Sequence, residues 1–152
     1  FFYDRALSIE DKQKLKVASP EIGKYLSEKL QPALRSISLS AHSALNTAIS
    51  NDIDPELIFA QQVIGYGDQG DTLLGISTSG NSKNVISAII TAKAMGLKTI
   101  GLTGKNGGEL RQICDVAICV NADETPDIQE LHLPIYHTLC AMLEYEFFNR
   151  TT

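Results

Sequence analysis

The chain changes its hydrophobic rhythm several times, and each change marks an element. Residues 8–31 carry the mixed spacing of helix, opened by Ser8 with Ile9, Glu10 and Asp11 behind it. Pro20, after Ser19, divides that stretch into two short helices, because a proline inside a helix removes a hydrogen bond and clashes with the preceding turn. From Ser36 to Ser40 the order Ser-Ile-Ser-Leu-Ser has a strict period of two and predicts a strand with one apolar face. A loop or short helix follows. Pro55 then opens a helix over residues 55–64, with Asp54 as its N-cap and Gly65 and Gly67 as its stops.

Beyond Gly67 the rhythm becomes regular. Asp71–Ile76 reads as a strand, Ser82–Met95 as a helix closed by Gly96, Leu97–Leu102 as a strand, Gly108–Ile113 as a short helix and Asp115–Val120 as a strand. This is βαβαβ, with strands that are near-continuous apolar runs. Such runs suit a parallel sheet covered by helices on both faces and joined by right-handed crossovers. Residues Asp127–Phe148 close the chain as a long helix, apolar at Leu131, Ile135, Leu139, Met142 and Leu143, and Pro134 marks either a kink in it or its start. The expected fold class is α/β.

Length and composition narrow the picture. With 152 residues, 43% of them hydrophobic, the chain suffices for one domain that buries a core without disulfide or metal staples. The expected organisation is a single domain over 1–152, with a helical segment at 1–32 and the sheet core with the C-terminal helix at 33–152. Thirteen basic against eighteen acidic side chains give a net charge of −5, which argues against a nucleic-acid or anionic-membrane surface. The basic residues of the first 35 positions are interleaved with acidic ones, as on a solvated helix face. No apolar run approaches the roughly 20 residues of a membrane span. Cys114, Cys119 and Cys140 are odd in number and lack CxxC spacing, which suits thiols of a reducing compartment, so a cytoplasmic location is expected. The opening Phe1-Phe2-Tyr3-Asp4-Arg5 has neither region of a secretory signal.

In open parallel sheets ligands bind beyond the carboxyl ends of the strands, where loops enter helix N-termini. At that place Gly75-Ile-Ser-Thr-Ser-Gly-Asn-Ser82 gathers the hydroxyls of Ser77, Thr78, Ser79 and Ser82 and one amide around Gly80. Hydroxyls and main-chain N–H groups there, backed by the positive end of the helix dipole, suit an anion. Neither GxxxxGK[ST] nor GxGxxG is present, so a phosphate monoester fits better than a nucleotide. The alternative is a serine-rich turn that only caps its own helix. The next turn, Thr103-Gly-Lys-Asn-Gly-Gly108, either touches ligand or makes a tight connection.

Three histidines complete the candidate chemistry: His42, His132 and His137. His132 and His137 share the last helix with Gln129 and Glu130, so each is a candidate base or metal ligand, or a packed residue. Gln129 and His137 lie eight positions apart, about 12 Å of rise and an 80° offset on a straight helix, and meet one small ligand only from opposite sides. No catalytic triad, HExxH or CxxC is recognisable.

Taken together, Gly75–Val85, Phe59-Ala-Gln-Gln-Val63, the turn from Ser43-Ala-Leu45 to Asn51-Asp52, and Ile128-Gln-Glu-Leu-His-Leu-Pro-Ile-Tyr-His137 resemble the sugar isomerase (SIS) domain family, and within it the phosphoheptose isomerases. The likeness covers about Leu30 to Phe148. It implies a three-layer, flavodoxin-like, five-stranded parallel sheet and a homotetramer with active sites at subunit interfaces. The implied reaction is the cytoplasmic conversion of sedoheptulose 7-phosphate to D-glycero-D-manno-heptose 7-phosphate, the entry to activated heptoses of surface glycans. The resemblance makes Ser77, Thr78, Ser79 and Ser82 the phosphate holders and His137 the proton-shuttling base. Gln129 contacts substrate or, with His137, zinc in members that bind it. A relative that only binds a sugar phosphate or a protein partner as a regulator is the alternative.

The departures from the family carry their own expectations. Its Gly-Asn-Gly-Gly-Ser loop and the helix bearing a His and a Glu, ligand and general acid, have no counterpart here. The strand leading into that loop would lie centrally, between the strands at Ser36–Ser40 and Asp71–Ile76, so the sequence is expected to be part of a longer chain. Ala41-His42 stands where many members have an aspartate, and Pro126-Asp127 where many have an acidic residue before the glutamine. Both changes bear on which sugar is accepted. Residues 8–32 form an extra helical stretch near the expected site mouth.

Overall fold

A computed structural model describes residues 5–148 and divides the helical N-terminal stretch where Pro20 requires it: α1 spans Ile9–Ala18 and α2 spans Pro20–Lys29. Ser8 caps α1, its hydroxyl accepting from the Asp11 N–H at 3.0 Å, and Pro20 sits in the first turn of α2, where its missing N–H costs nothing. After α3 (Ser43–Asp52), Pro55–Leu57 form one 3-10 turn, capped by Asp54, that leads into α4 (Ile58–Tyr66). Gly65 lies inside α4 and Gly67 is its C-cap, so of the two expected stops only the second ends the helix.

Three strands follow, β1 (Thr72–Ile76), β2 (Lys98–Thr103) and β3 (Val116–Cys119), joined by α5 (Lys83–Ala94) and α6 (Leu110–Ile113). All pairs are parallel, in the order β1-β2-β3, with Leu74 opposite Ile100 and Ile100 opposite Val116. The sheet is clamped where β2 begins. The Asp115 carboxylate accepts from the Thr99 N–H (2.8 Å) and hydroxyl (2.9 Å), and that hydroxyl accepts from the Asp115 N–H (2.9 Å). The two Thr99 donors hold the Asp115 carboxyl below the usual carboxylate range. Finally α7 runs from Thr125 to Phe148 without a break, Pro134 inside it, so Pro134 does not start the helix.

The chain divides into two compact units, residues 38–135 and residues 1–37 with 136–152. In the first, Val63, Ala88, Ala92 and Leu97 form a buried cluster under Leu39, Phe59, Leu73 and Met95. In the second, Arg5 pairs with Glu144 at 3.0 Å and lies 4.3 Å from the centre of the Phe148 ring.

One expected strand is not formed. Ser36–Ser40 joins no ladder among the described residues, and a turn occupies Leu39-Ser40, with the Ala41 N–H donating to Ser38 O at 3.1 Å. Side chains take the place of a neighbouring strand: Gln62 donates to Leu39 O at 2.9 Å, and Asn46 donates to Leu39 O and Ser40 O at 3.3 Å. A strand needs partners for its main-chain groups, and alternation supplies none. In the observed sheet β1 is an edge, and its alternate residues Leu74 and Ile76 are 39% and 49% exposed.

Candidate functional site

The serine turn leaves β1 at its carboxyl end and enters α5 through Ser82. The Ser77 N–H extends the ladder to Leu102 O (3.1 Å), and the Gly80 N–H then closes a turn onto Ser77 O (3.0 Å). This fold converges three hydroxyls: Ser77 Oγ lies 2.9 Å from Ser82 Oγ and 3.5 Å from Ser79 Oγ, with Ser77 buried. Ser82 is the N-cap residue of α5, yet its own side chain does not cap that helix; the first-turn Val85 N–H is met instead by Asn84 Oδ1 at 2.8 Å. The Ser77 and Ser82 hydroxyls are turned to one another at the positive end of a twelve-residue helix, while Ser79 Oγ accepts from the Asn81 N–H at 3.2 Å within the turn. Thr78 is half-buried beside it and offers its carbonyl to the Gly104 N–H at 3.0 Å.

The second turn buttresses the first. Leu110 N–H donates to Gly80 O (3.0 Å), and Asn81 bridges both loops, donating to Ser79 O (3.1 Å) and accepting from the Glu109 N–H (2.9 Å). Gly80, at φ +68°, packs so closely that a Cβ there would lie 2.0 Å from Gly107 O. Gly108, at φ +55°, would set one 2.4 Å from Ser79 O. These glycines serve close main-chain approach, and Asn81 and the 104–108 loop are positioning residues that the spacing of hydroxyls did not single out. The cations flanking the turn are engaged: Lys83 pairs with Glu56 at 3.2 Å and Lys105 with Asp123 at 3.5 Å.

The histidines separate by role. His42 caps α3, its Nδ1 accepting from the Leu45 N–H at 3.2 Å. His132 is buried, with Nε2 3.2 Å from Thr103 O. His137 is exposed and meets the Tyr136 ring edge-on, centroids 4.9 Å apart. Gln129 is likewise exposed on α7. The structure thus brings Ser77, Thr78, Ser79 and Ser82 together, with Gln129 in the same unit, and places His137 in the other unit. For zinc, Gln129 and His137 supply two donors, and among the described residues no three His, Cys, Asp or Glu side chains come together as a metal site. Two donors do not make the closed or open tetrahedral set that zinc takes.

The SIS domain model matches residues 19–104. The chain is 46% identical over 131 residues to the phosphoheptose isomerase of a Nitratiruptor species, covering 86% of this chain and 69% of that one. It is 38% identical over 141 residues to that of Akkermansia muciniphila, covering 93% and 72%. Among solved structures, phosphoheptose isomerase GmhA from Neisseria gonorrhoeae superposes with a TM-score of 0.70 at 34% identity, covering 88% of this chain and 69% of that one. A phosphoheptose isomerase from Francisella tularensis superposes with 0.71 at 33%, covering 88% and 83%. The chain spans about two thirds of the length of these curated relatives. The hydroxyl turn at the end of β1, the parallel α/β sheet and these likenesses agree, and the chain belongs to the SIS-domain family, among its phosphoheptose isomerases.

Proposed function

We propose that this chain carries the isomerisation of sedoheptulose 7-phosphate to D-glycero-D-manno-heptose 7-phosphate, with the serine turn as the phosphate anchor. The observation behind the anchor is the pair of Ser77 and Ser82 hydroxyls, 2.9 Å apart at the α5 N-terminus, with the N-cap Ser82 side chain not engaged in capping. Ser77, Thr78, Ser79 and Ser82 hold the phosphate; Gln129 contacts the sugar; His137 is the base. Anchoring the phosphate makes attack on the far end of the sugar intramolecular in effect. At that end the base removes a proton from C1 of the ketose, the bonding pair becomes the C1–C2 double bond, and the C2 carbonyl oxygen takes up a proton to give an enediol. The base then returns its proton to C2 as the C1 hydroxyl proton leaves, which offsets the one taken up at the C2 oxygen, and C1 becomes the aldehyde carbon. No atom is gained or lost. An imidazole suits this step because it both takes and gives a proton near neutral pH.

Zinc belongs to this reading as an expectation of the resemblance only, and no step above runs through it. A homotetramer and a cytoplasmic location complete the proposal. The free thiols Cys114, Cys119 and Cys140 support the second. The decisive experiment substitutes His137→Ala and measures sedoheptulose 7-phosphate turnover. The expected result is a loss of about 10²–10⁴-fold in kcat with an unchanged melting temperature. Undiminished turnover removes His137 from the role of base.

A further inference from the structure

His132 is the one buried histidine among the described residues, and the proposed chemistry does not use it. Its ring makes one defined contact, Nε2 to Thr103 O at 3.2 Å. A carbonyl oxygen only accepts, so Nε2 carries the hydrogen. Thr103 is the fully buried last residue of β2, and its carbonyl also receives the Val120 N–H at 3.0 Å. The histidine takes the second lone pair of a carbonyl that is already satisfied. It is therefore not there to rescue an orphaned acceptor.

What the bond does is clear from its neighbours. Ile128 and His132, four positions apart and so on one face, are the two buried residues of α7. Ile128 lies so close over Gly104 that a Cβ on that glycine would fall 2.5 Å from its Cδ1. Gly104 in turn donates its N–H to Thr78 O, in the serine turn, at 3.0 Å. The first turns of α7 are thus seated on the Thr103-Gly104 corner by one apolar contact and one directional bond, and that corner is bonded to the phosphate cradle. Gln129 sits in the same helical turn. An apolar contact tolerates rotation of a helix about its axis, whereas a hydrogen bond weakens steeply as its angle departs from linear.

We propose that His132 is a positioning residue for the isomerisation: its bond to Thr103 O fixes the rotation and height of α7 on the end of β2, and so fixes Gln129 against an anchored sugar phosphate. The inference rests on the isomerase reading. Replacing His132 by leucine keeps an apolar plug and leaves Thr103 O bonded to Val120, while His132→Gln restores an amide donor able to reach the same carbonyl.

The test measures kcat, KM and thermal melts for both variants with sedoheptulose 7-phosphate, together with the imidazole ¹⁵N shifts of the wild-type protein. The expected result is a cooperative melt for His132→Leu, KM within threefold of wild type because the serine turn is intact, and kcat at least tenfold lower. His132→Gln recovers kcat to within threefold. Wild-type kcat in a folded His132→Leu, or an equal loss of kcat in both variants, overturns the proposal. If His132→Leu fails to fold, His132→Gln decides alone by the same threefold criterion. Turnover by a wild-type protein whose His132 carries its hydrogen on Nδ1 also overturns it. A wild-type protein with the Nε2–H tautomer but no turnover defeats the isomerase reading, and with it any catalytic purpose for the bond.

Discussion

Ser82 stands at the N-cap of α5 and does not cap it; its hydroxyl faces Ser77 Oγ at 2.9 Å. By sequence the serine-rich motif reads as a phosphate turn or a capping turn, and the proposed function takes the first. Ser77→Ala is expected to raise KM for sedoheptulose 7-phosphate at least tenfold while lowering stability by no more than about 1 kcal/mol, the net worth of one hydrogen bond; steady-state kinetics and urea midpoints check both. Asp115 offers a pH test. Its carboxyl is held below the usual range by the Thr99 N–H and hydroxyl, so it stabilises the fold above the unfolded value near 3.9, and that contribution disappears as pH falls through the lower folded value. Asp115→Asn should therefore lower the urea midpoint at pH 7, and the gap to wild type should close in a series taken down toward pH 2. Burial pushes the Cys114 thiol up, whereas Cys140 is exposed. Maleimide labelling at pH 7 followed by mass spectrometry should modify Cys140 first.

At the scale of elements, the capped helices and the three strands β1, β2 and β3 followed the sequence, whereas the strand expected at Ser36–Ser40 did not form. Ser8 and Pro20 fix the ends of α1 and α2 through their own side chains, and both are found where the sequence places them. The alternation at Ser36–Ser40 is as regular as any in the chain, yet Gln62 and Asn46 occupy the carbonyls a neighbouring strand would have used. Pro134 predicts a kink or a start, and α7 begins at Thr125, so of the two the start is excluded. The glycines of the 104–108 turn are legible as a tight connection, but not as the backing of the serine turn, because the contact joins main chains far apart in sequence. Gly80→Ala tests that contact: at φ +68° with a carbonyl 2.0 Å from the new Cβ, strain of about 1–3 kcal/mol is expected before any collision is counted. Lower denaturant midpoints together with a raised KM would show that the clasp shapes the cradle; a lower midpoint with unchanged KM would make it structural only.

For the whole molecule, family and fold class are legible early because they rest on ordered motifs spread over most of the chain, and the SIS domain match and the superpositions agree with them. The two-helix segment exposes Ile9, Val17, Ile22 and Tyr25, an apolar surface that fits the proposed assembly. Light scattering is expected to give four times the mass of one subunit, and Val17→Glu to lower that mass; a monomer in both cases would discard the tetramer. Local chemistry let the sequence alone determine the βαβαβ order, the caps and the hydroxyl turn, since each depends on residues a few positions apart. Tertiary structure alone decided that Ser36–Ser40 is no strand, that the Ser82 hydroxyl turns from its helix to Ser77, and that His132, open by sequence between base, metal ligand and packed residue, is buried and bonded to Thr103. Those outcomes depend on which main-chain groups find partners across long separations, and a period of two or a lone histidine carries no information about its distant neighbour.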